Sequence, residues 1–246
     1  MQKLHILAIA AHPDDVELSC AGTLIKHVEM GHAVGILDLT EGELGTRGSV
    51  ADRYAEAAAS ASLMGIRIRE NAKMSDGFFM NDEAHQRILI SYIRFFQPDI
   101  VITNALDDRH PDHGRAAKLV ADSCFLAGLR QIKTDWDLSS QEAWRPKRVY
   151  HMIQDRQMEP TFAVDITSSF AKKMDAIRCF KTQFFSNSDT SGDPTTYIST
   201  PDFMHQLEHR DAMMGKRIGV KYAEGFVSLN LPGISDLDEL LLPEIS

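Results

Sequence analysis

Short apolar runs at 4–10, 33–39 and 99–103 alternate with longer segments of helical character through the first 130 residues. Helices are expected at 16–30, 50–64, 82–96 and 112–129, and a further strand at 66–73. Gly31, Gly65 and Pro98 stand where the first three of these helices should stop. A chain that repeats strand and helix in this order folds as a parallel sheet with right-handed crossovers and helices on both faces. The expected class is therefore α/β, a Rossmann-like, mostly parallel sheet with a C-terminal elaboration. We take the chain as one domain, with 1–130 as the core and 131–246 as the elaboration. The second half should add strands at 148–153 and 161–165 and helices at 168–180 and 201–216. Between those helices lies 181–200, rich in Ser, Thr, Asp and Gly. A connection of that length is either a lid or a disordered segment. The Leu-rich, acidic tail at 230–246 suits packing on the domain or on a partner subunit.

Two polar clusters sit directly after predicted strands. His12-Pro13-Asp14-Asp15 follows the first, and Arg109-His110-Pro111-Asp112-His113 lies a few residues beyond the run at 99–103. In an open α/β sheet, ligands bind beyond the carboxyl ends of the strands, where strand order reverses. Strands 1 and 4 flank that point in the usual order, so the fold brings the two clusters together. Imidazole and carboxylate are good zinc ligands, and a catalytic site uses three of them and leaves a position for water. A further carboxylate must stand by that water as a base. Asp14 and Asp15 can supply one ligand and one base, because successive side chains diverge. One of His110 and His113 can bind metal while the other faces the substrate. The competing reading of either Asp as a helix cap accounts for one carboxylate, not for the whole cluster.

The glycines of Gly42-Glu43-Leu44-Gly45-Thr46-Arg47-Gly48 do not make a dinucleotide fingerprint, which belongs after strand 1. They read as a flexible rim carrying Arg47. With Arg53 and Arg109 near the same mouth, an anionic substrate is indicated, since guanidinium pairs bidentately with carboxylate or phosphate. Tyr197, in the long polar connection, is a further candidate contact. A net charge of −9 argues against a nucleic-acid partner. No apolar stretch approaches the roughly 20 residues that span a bilayer. The short run near the start is interrupted by His5 and is read as a strand, not as a signal peptide. Three scattered cysteines without a Cys-x-x-Cys pattern suggest a reducing cytoplasm.

Ala11-His12-Pro13-Asp14-Asp15-Val16-Glu17, together with the cluster at 109–113, resembles the PIG-L-type (LmbE-like) zinc de-N-acetylases over most of the chain. The glycine-rich loop and Lys221-Tyr222-Ala223-Glu224-Gly225-Phe226 look like the bacillithiol-biosynthesis branch, which deacetylates N-acetylglucosaminyl-malate. The resemblance implies that His12, Asp15 and His113 hold the metal, zinc or ferrous iron. It implies Asp14 as the base, His110 as a second catalytic group and Arg53 as a substrate contact. It also implies a small glycoside substrate and a homo-oligomer, often a hexamer. Close relatives act on other N-acetylglucosamine compounds, so a chito-oligosaccharide is the alternative substrate. Two His and a carboxylate also form the facial triad of non-haem iron oxygenases. The parallel α/β pattern and the extra Asp14 favour hydrolysis over that chemistry, and over a sugar-binding or metal-storage role.

Overall fold

The computed structural model describes residues 3–184 and 192–241. The core alternates β1 (Ile6–Ala10), α1 (Asp15–Glu29), β2 (Val34–Thr40), α2 (Val50–Met64), β3 (Ile68–Met74), α3 (Glu83–Phe96), β4 (Ile100–Thr103) and α4 (Pro111–Ala127). A two-residue hairpin follows, β5 (Asp135–Trp136) with β6 (Ser139–Ser140). Then come β7 (Arg148–Met152), β8 (Phe162–Asp165), α5 (Phe170–Ile177), α6 (Pro201–Ile218) and β9 (Ala223–Val227). Tyr197–Ser199 and Leu237–Leu240 form short 3-10 turns.

Seven strands make one sheet in the order β3-β2-β1-β4-β7-β9-β8. The neighbours from β3 through β7 run parallel, and β9 is antiparallel to both β7 and β8. The expected α/β class is thus found, with the order reversing between β1 and β4. Three strands from the second half extend the sheet formed by the first. β9 escaped the sequence reading because Lys221 to Phe226 carries Glu224 and Gly225 in place of a strong β-former pattern. The helix expected at 168–180 is shorter, and 185–191 of the long connection lie outside the described residues.

β1 is buried along its whole length and serves both faces of the sheet. Ile6, Ala8 and Ala10 pack in the layer beneath α1, with Leu24, Ile25, Ile36 and Met64. Leu7 and Ile9 pack in the opposite layer with Leu37, Leu39 and residues of α3 and α4 such as Ile93 and Leu119. Each fully buried aliphatic side chain contributes about 1.5–3 kcal/mol. Side-chain period two along β1 therefore assigns one layer of helices to each set.

The helix layer is also tied down by buried charge. Lys173 on α5 is fully buried, with Nζ 2.6 Å from Asp211 on α6 and 2.8 Å from Glu224 on β9. Glu224 also accepts from the backbone N–H groups of Gly22 and Thr23 in α1, at 2.9 and 2.7 Å. Glu17 in the first turn of α1 has a similar role: it accepts from Arg69 and Ser60 at 2.6 and 2.7 Å. Breaking a buried charge network on one side costs more than removing it whole. Lys173→Met should therefore lose about 3–5 kcal/mol in a urea titration. The triple change Lys173→Met, Asp211→Asn, Glu224→Gln should recover part of that loss. A Lys173→Met midpoint equal to wild type would show that the network contributes nothing.

Candidate active site

The cleft opens where β1 and β4 diverge. Three strand ends are fastened together there. Ala11 donates its N–H to Asn104 Oδ1 at 2.9 Å, just past β4, and its carbonyl accepts from the Thr40 N–H and hydroxyl at 3.0 and 2.9 Å. On this frame the chain turns through His12-Pro13 into α1. Asp15 opens the helix and its carboxylate turns back to the His12 N–H at 3.0 Å. The same carboxylate accepts from Asn104 Nδ2 at 3.0 Å and from Gln154 Nε2 at 3.1 Å.

Both candidate metal-binding imidazoles face Asp15 with one nitrogen and a different carboxylate with the other. His113 Nε2 lies 3.0 Å from Asp15 Oδ1, and its Nδ1 meets Asp108 at 2.5 Å. His12 Nδ1 lies 3.5 Å from Asp15 Oδ2, while its Nε2 lies 3.1 Å from Asp76 and 3.4 Å from Asp112. Backing a ligand's second nitrogen with a carboxylate fixes its tautomer and orientation and raises its basicity. One nitrogen of each ring faces Asp15 and a second carboxylate stands behind each, a donor set whose chemistry fits a metal. Two imidazoles with a carboxylate suit zinc or ferrous iron. Ligand atoms of His12, His110 and His113 also lie within 4.8 Å of one another. His110, however, caps α4, its Nδ1 accepting the Asp112 N–H at 3.3 Å.

The electrostatics point the same way. Burial opposes a charge on His12, but the carboxylates of Asp112, Asp15 and Asp76 outweigh it and hold the imidazole well above its ordinary range. Burial likewise opposes a charge on His113, yet Asp15 and Asp108 raise it to about 9. Asp15, despite its burial, is held well below the usual carboxylate range by His113 and His12. Carboxylates crowd this pocket, and in the free protein the imidazoles supply the positive charge that they demand. His110 is shifted the other way, first by burial and then by its two histidine neighbours.

Asp14 is set apart from this network. It precedes α1 but makes no capping hydrogen bond. Its backbone sits at φ 132°, ψ −24°, where L-residues are strained. Among the described residues its side chain pairs with Arg53 Nη1, at 3.1 Å. Burial pushes its carboxyl up to about 7, with Asp15 adding to the shift and Arg53 opposing it. A buried carboxyl poised near neutrality is suited to taking and returning a proton.

The three arginines differ. Arg53 lies behind Asp14, giving Nη1 to the Pro13 carbonyl at 2.9 Å and Nη2 to Gln183 at 2.5 Å. Arg47 is buried and turned to the carbonyls of Thr182, Asp193 and Pro194 at 2.7, 3.3 and 3.1 Å, so its side chain anchors the polar connection while residues 43–46 of the loop stay exposed. Arg109 alone of the three is half exposed. It lies 3.3 Å from Asp155 and stacks 4.7 Å above the Tyr197 ring, whose hydroxyl donates to Asp155 at 2.9 Å. Arg109 and Tyr197 rim a cleft of about 930 Å³ with Asp15 and His113 among its lining. Asp76, Asp108, Asn104 and Gln154 were missed by the sequence reading. Each follows β3, β4 or β7 closely, and that position at a strand's carboxyl end was the only signal.

A family model described as PIG-L, GlcNAc-PI de-N-acetylase, matches residues 7–124. The match to the PIG-L family model spans a little under half of the chain. The matched span runs from β1 into α4 and contains both His-Pro-Asp clusters, Arg53, Asp76 and Asp108. Among solved structures, the chain is similar to a conserved protein of Thermus thermophilus, with TM-score 0.84 and 29% identity over 95% of this chain and 98% of that one. It is 26% identical to the diacetylchitobiose deacetylase of Thermococcus kodakarensis over 89% of this chain and 81% of that protein. It is also 27% identical to the 4-oxalmesaconate hydratase of Pseudomonas putida over 72% of this chain and 73% of that protein.

The strain at Asp14 has a measurable consequence. Glycine adopts positive φ freely, and a strained residue costs about 1–3 kcal/mol. Asp14→Gly should therefore be more stable than Asp14→Ala by about that amount, as both lose the carboxylate and only one relieves the backbone. Coincident denaturation midpoints for the two variants would show that the turn stores no strain.

Proposed function

We propose that this protein hydrolyses the N-acetyl group of an N-acetylglucosamine-containing glycoside, releasing acetate and a free amine. The observation that carries the reading is the division of labour between Asp14 and Asp15. Asp15 is bonded to His12, Asn104 and Gln154 and meets His113, whereas Asp14 keeps a proton-accepting carboxyl beside a single arginine. The match of residues 7–124 to the PIG-L family model and the likeness to a diacetylchitobiose deacetylase support it.

His12, Asp15 and His113 would hold a divalent metal, which when bound would supply Lewis acidity and lower the pKa of water. Asp14 takes the proton of the attacking water and is placed to return it to the leaving amine. Arg53, bonded to both the Pro13 carbonyl and the Asp14 carboxylate, orients that base. In neutral His110 the Asp112 N–H occupies Nδ1, which leaves the ring proton on Nε2 as a donor to the oxyanion. Asp76, Asp112 and Asp108 hold the two metal-binding imidazoles in register.

We further propose N-acetylglucosaminyl-malate as the substrate. Arg109, stacked on Tyr197 at the cleft rim, is the guanidinium open to a carboxylate of the aglycone. Free thiols at Cys20, Cys124 and Cys179 fit a reducing cytoplasm. No described helix is long and apolar enough to cross a membrane. The exposed Leu231, Leu237 and Leu241 give a homo-oligomer an apolar face to cover. The likeness to a hydratase favours one rival, addition of the activated water to a carbon–carbon double bond.

Three measurements test the proposal. Alanine at His12, Asp15 or His113 should strip bound metal and activity together, while His110→Ala keeps the metal; full occupancy in the first three would overturn the ligand set. Asp14→Asn should retain metal and lose about 10²–10⁴ in rate; near-normal turnover would remove Asp14 as the base. Acetate release should favour the malate conjugate over free N-acetylglucosamine, and Arg109→Ala should reduce that preference about ten- to a hundredfold, as a charge-assisted bond of about 1.5–3 kcal/mol requires. Equal efficiency on both sugars would refute the malate assignment. Hydration of an unsaturated acid without acetate release would replace the deacetylase reading.

A further inference from the structure

Three more imidazoles meet at the opposite end of the sheet. His5 immediately precedes β1, His27 lies in the last turn of α1, and His32 stands in the loop that leads into β2. One nitrogen of each lies within 4.8 Å of the others. Ring centroids are 4.1 Å apart for His5 and His32, 5.4 Å for His27 and His32, and 5.8 Å for His5 and His27. All three are partly buried, and none belongs to the catalytic cleft.

His27 Nδ1 is buried and makes no hydrogen bond. Leaving such an atom unsatisfied costs about 1–3 kcal/mol, so a cluster of this kind calls for a partner. We propose that His5, His27 and His32 form a second metal site, taking a divalent transition ion such as zinc, nickel or copper through three imidazole nitrogens.

The donor set decides the class of ion. Neutral imidazoles bind zinc, copper and nickel, whereas calcium and magnesium require oxygen ligands. Burial, then His32 and His5, push His27 down to about 4, and burial with His32 lowers His5 as well. These two rings are therefore neutral near pH 7, with lone pairs available. Zinc–nitrogen bonds of about 2.0–2.1 Å require the nitrogens to close to about 3.3 Å in a tetrahedron. Rotation of the His5 and His32 rings, which reach solvent, supplies that movement. Asp99, just ahead of β4, lies 3.8 Å from His5 Nδ1 and can orient that ring from behind. Lys26 and Lys147 face the cluster and oppose a cation, while Asp99 offsets them. A bound ion would join the entry of β1, the end of α1 and the entry of β2, and so would stabilise the folded chain by mass action.

Isothermal titration of zinc into the full chain at pH 7.5 tests the site by a difference. His32→Gln should bind one equivalent less than wild type, with unchanged deacetylase kcat/KM. His5→Gln should behave likewise, and zinc should raise the Tm of wild type more than that of either variant. Because the readout is the lost equivalent, it is separate from whatever the catalytic cleft binds. His32 reaches solvent, so its variant should fold even if His27→Gln does not. Identical stoichiometry in wild type, His32→Gln and His5→Gln would overturn the proposal.

Discussion

The Asp15 carboxylate collects hydrogen bonds from the turn that ends β1, from Asn104 beyond β4 and from Gln154 beyond β7, and it meets His113 at the start of α4. Its negative charge, buried with so many donors, sets the spacing of three strand ends. Removing it would leave the amides of Asn104 and Gln154 without that acceptor. Around it the remaining charges arrange themselves in pairs. Asp108 and Asp76 stand behind the imidazoles, and Arg53 stands behind Asp14. The cleft is thus a lattice of opposed charges built on a sheet whose core is almost wholly apolar.

The same principle explains why adjacent aspartates can differ so much. Asp14 and Asp15 share a backbone bond, a burial depth and a field of nearby carboxylates. Asp15 meets two imidazoles and several N–H donors and stays ionised. Asp14 meets one guanidinium, and desolvation dominates its titration. The positive φ at Asp14 turns its side chain away from the bonds that Asp15 makes. A helix cap would have placed the carboxylate over the first turn of α1, and the strained geometry is what prevents that.

Much of this was legible in the sequence because it rests on local pattern. Alternating apolar runs gave the strands their order, and that order placed residues 12 and 110 at the same reversal point. Proline at 13 and 111 marked the turns. The supporting residues were not legible, since Asp76, Asp108, Asn104 and Gln154 are single polar residues with no spacing between them to notice. Arginine was the hardest residue to read. Arg47, Arg53 and Arg109 look alike in a string, but a long side chain finds its partner in three dimensions. One anchors a loop, one pairs with Asp14, and one reaches the rim. β9 was hidden for a related reason: Glu224 interrupts its apolar pattern because it answers Lys173, on a different element.

That pairing also sets a schedule for the ribosome. Glu224 bonds the amides of Gly22 and Thr23, about two hundred residues earlier in the chain. At roughly 5–20 residues per second, the partner emerges some 10–40 s after α1 does. During that interval the first four strands and their helices can assemble, but α1 still faces an unfilled flank. The two His-Pro-Asp clusters are therefore made early, and β9 arrives later to lock α1, the helix that begins at the first of them.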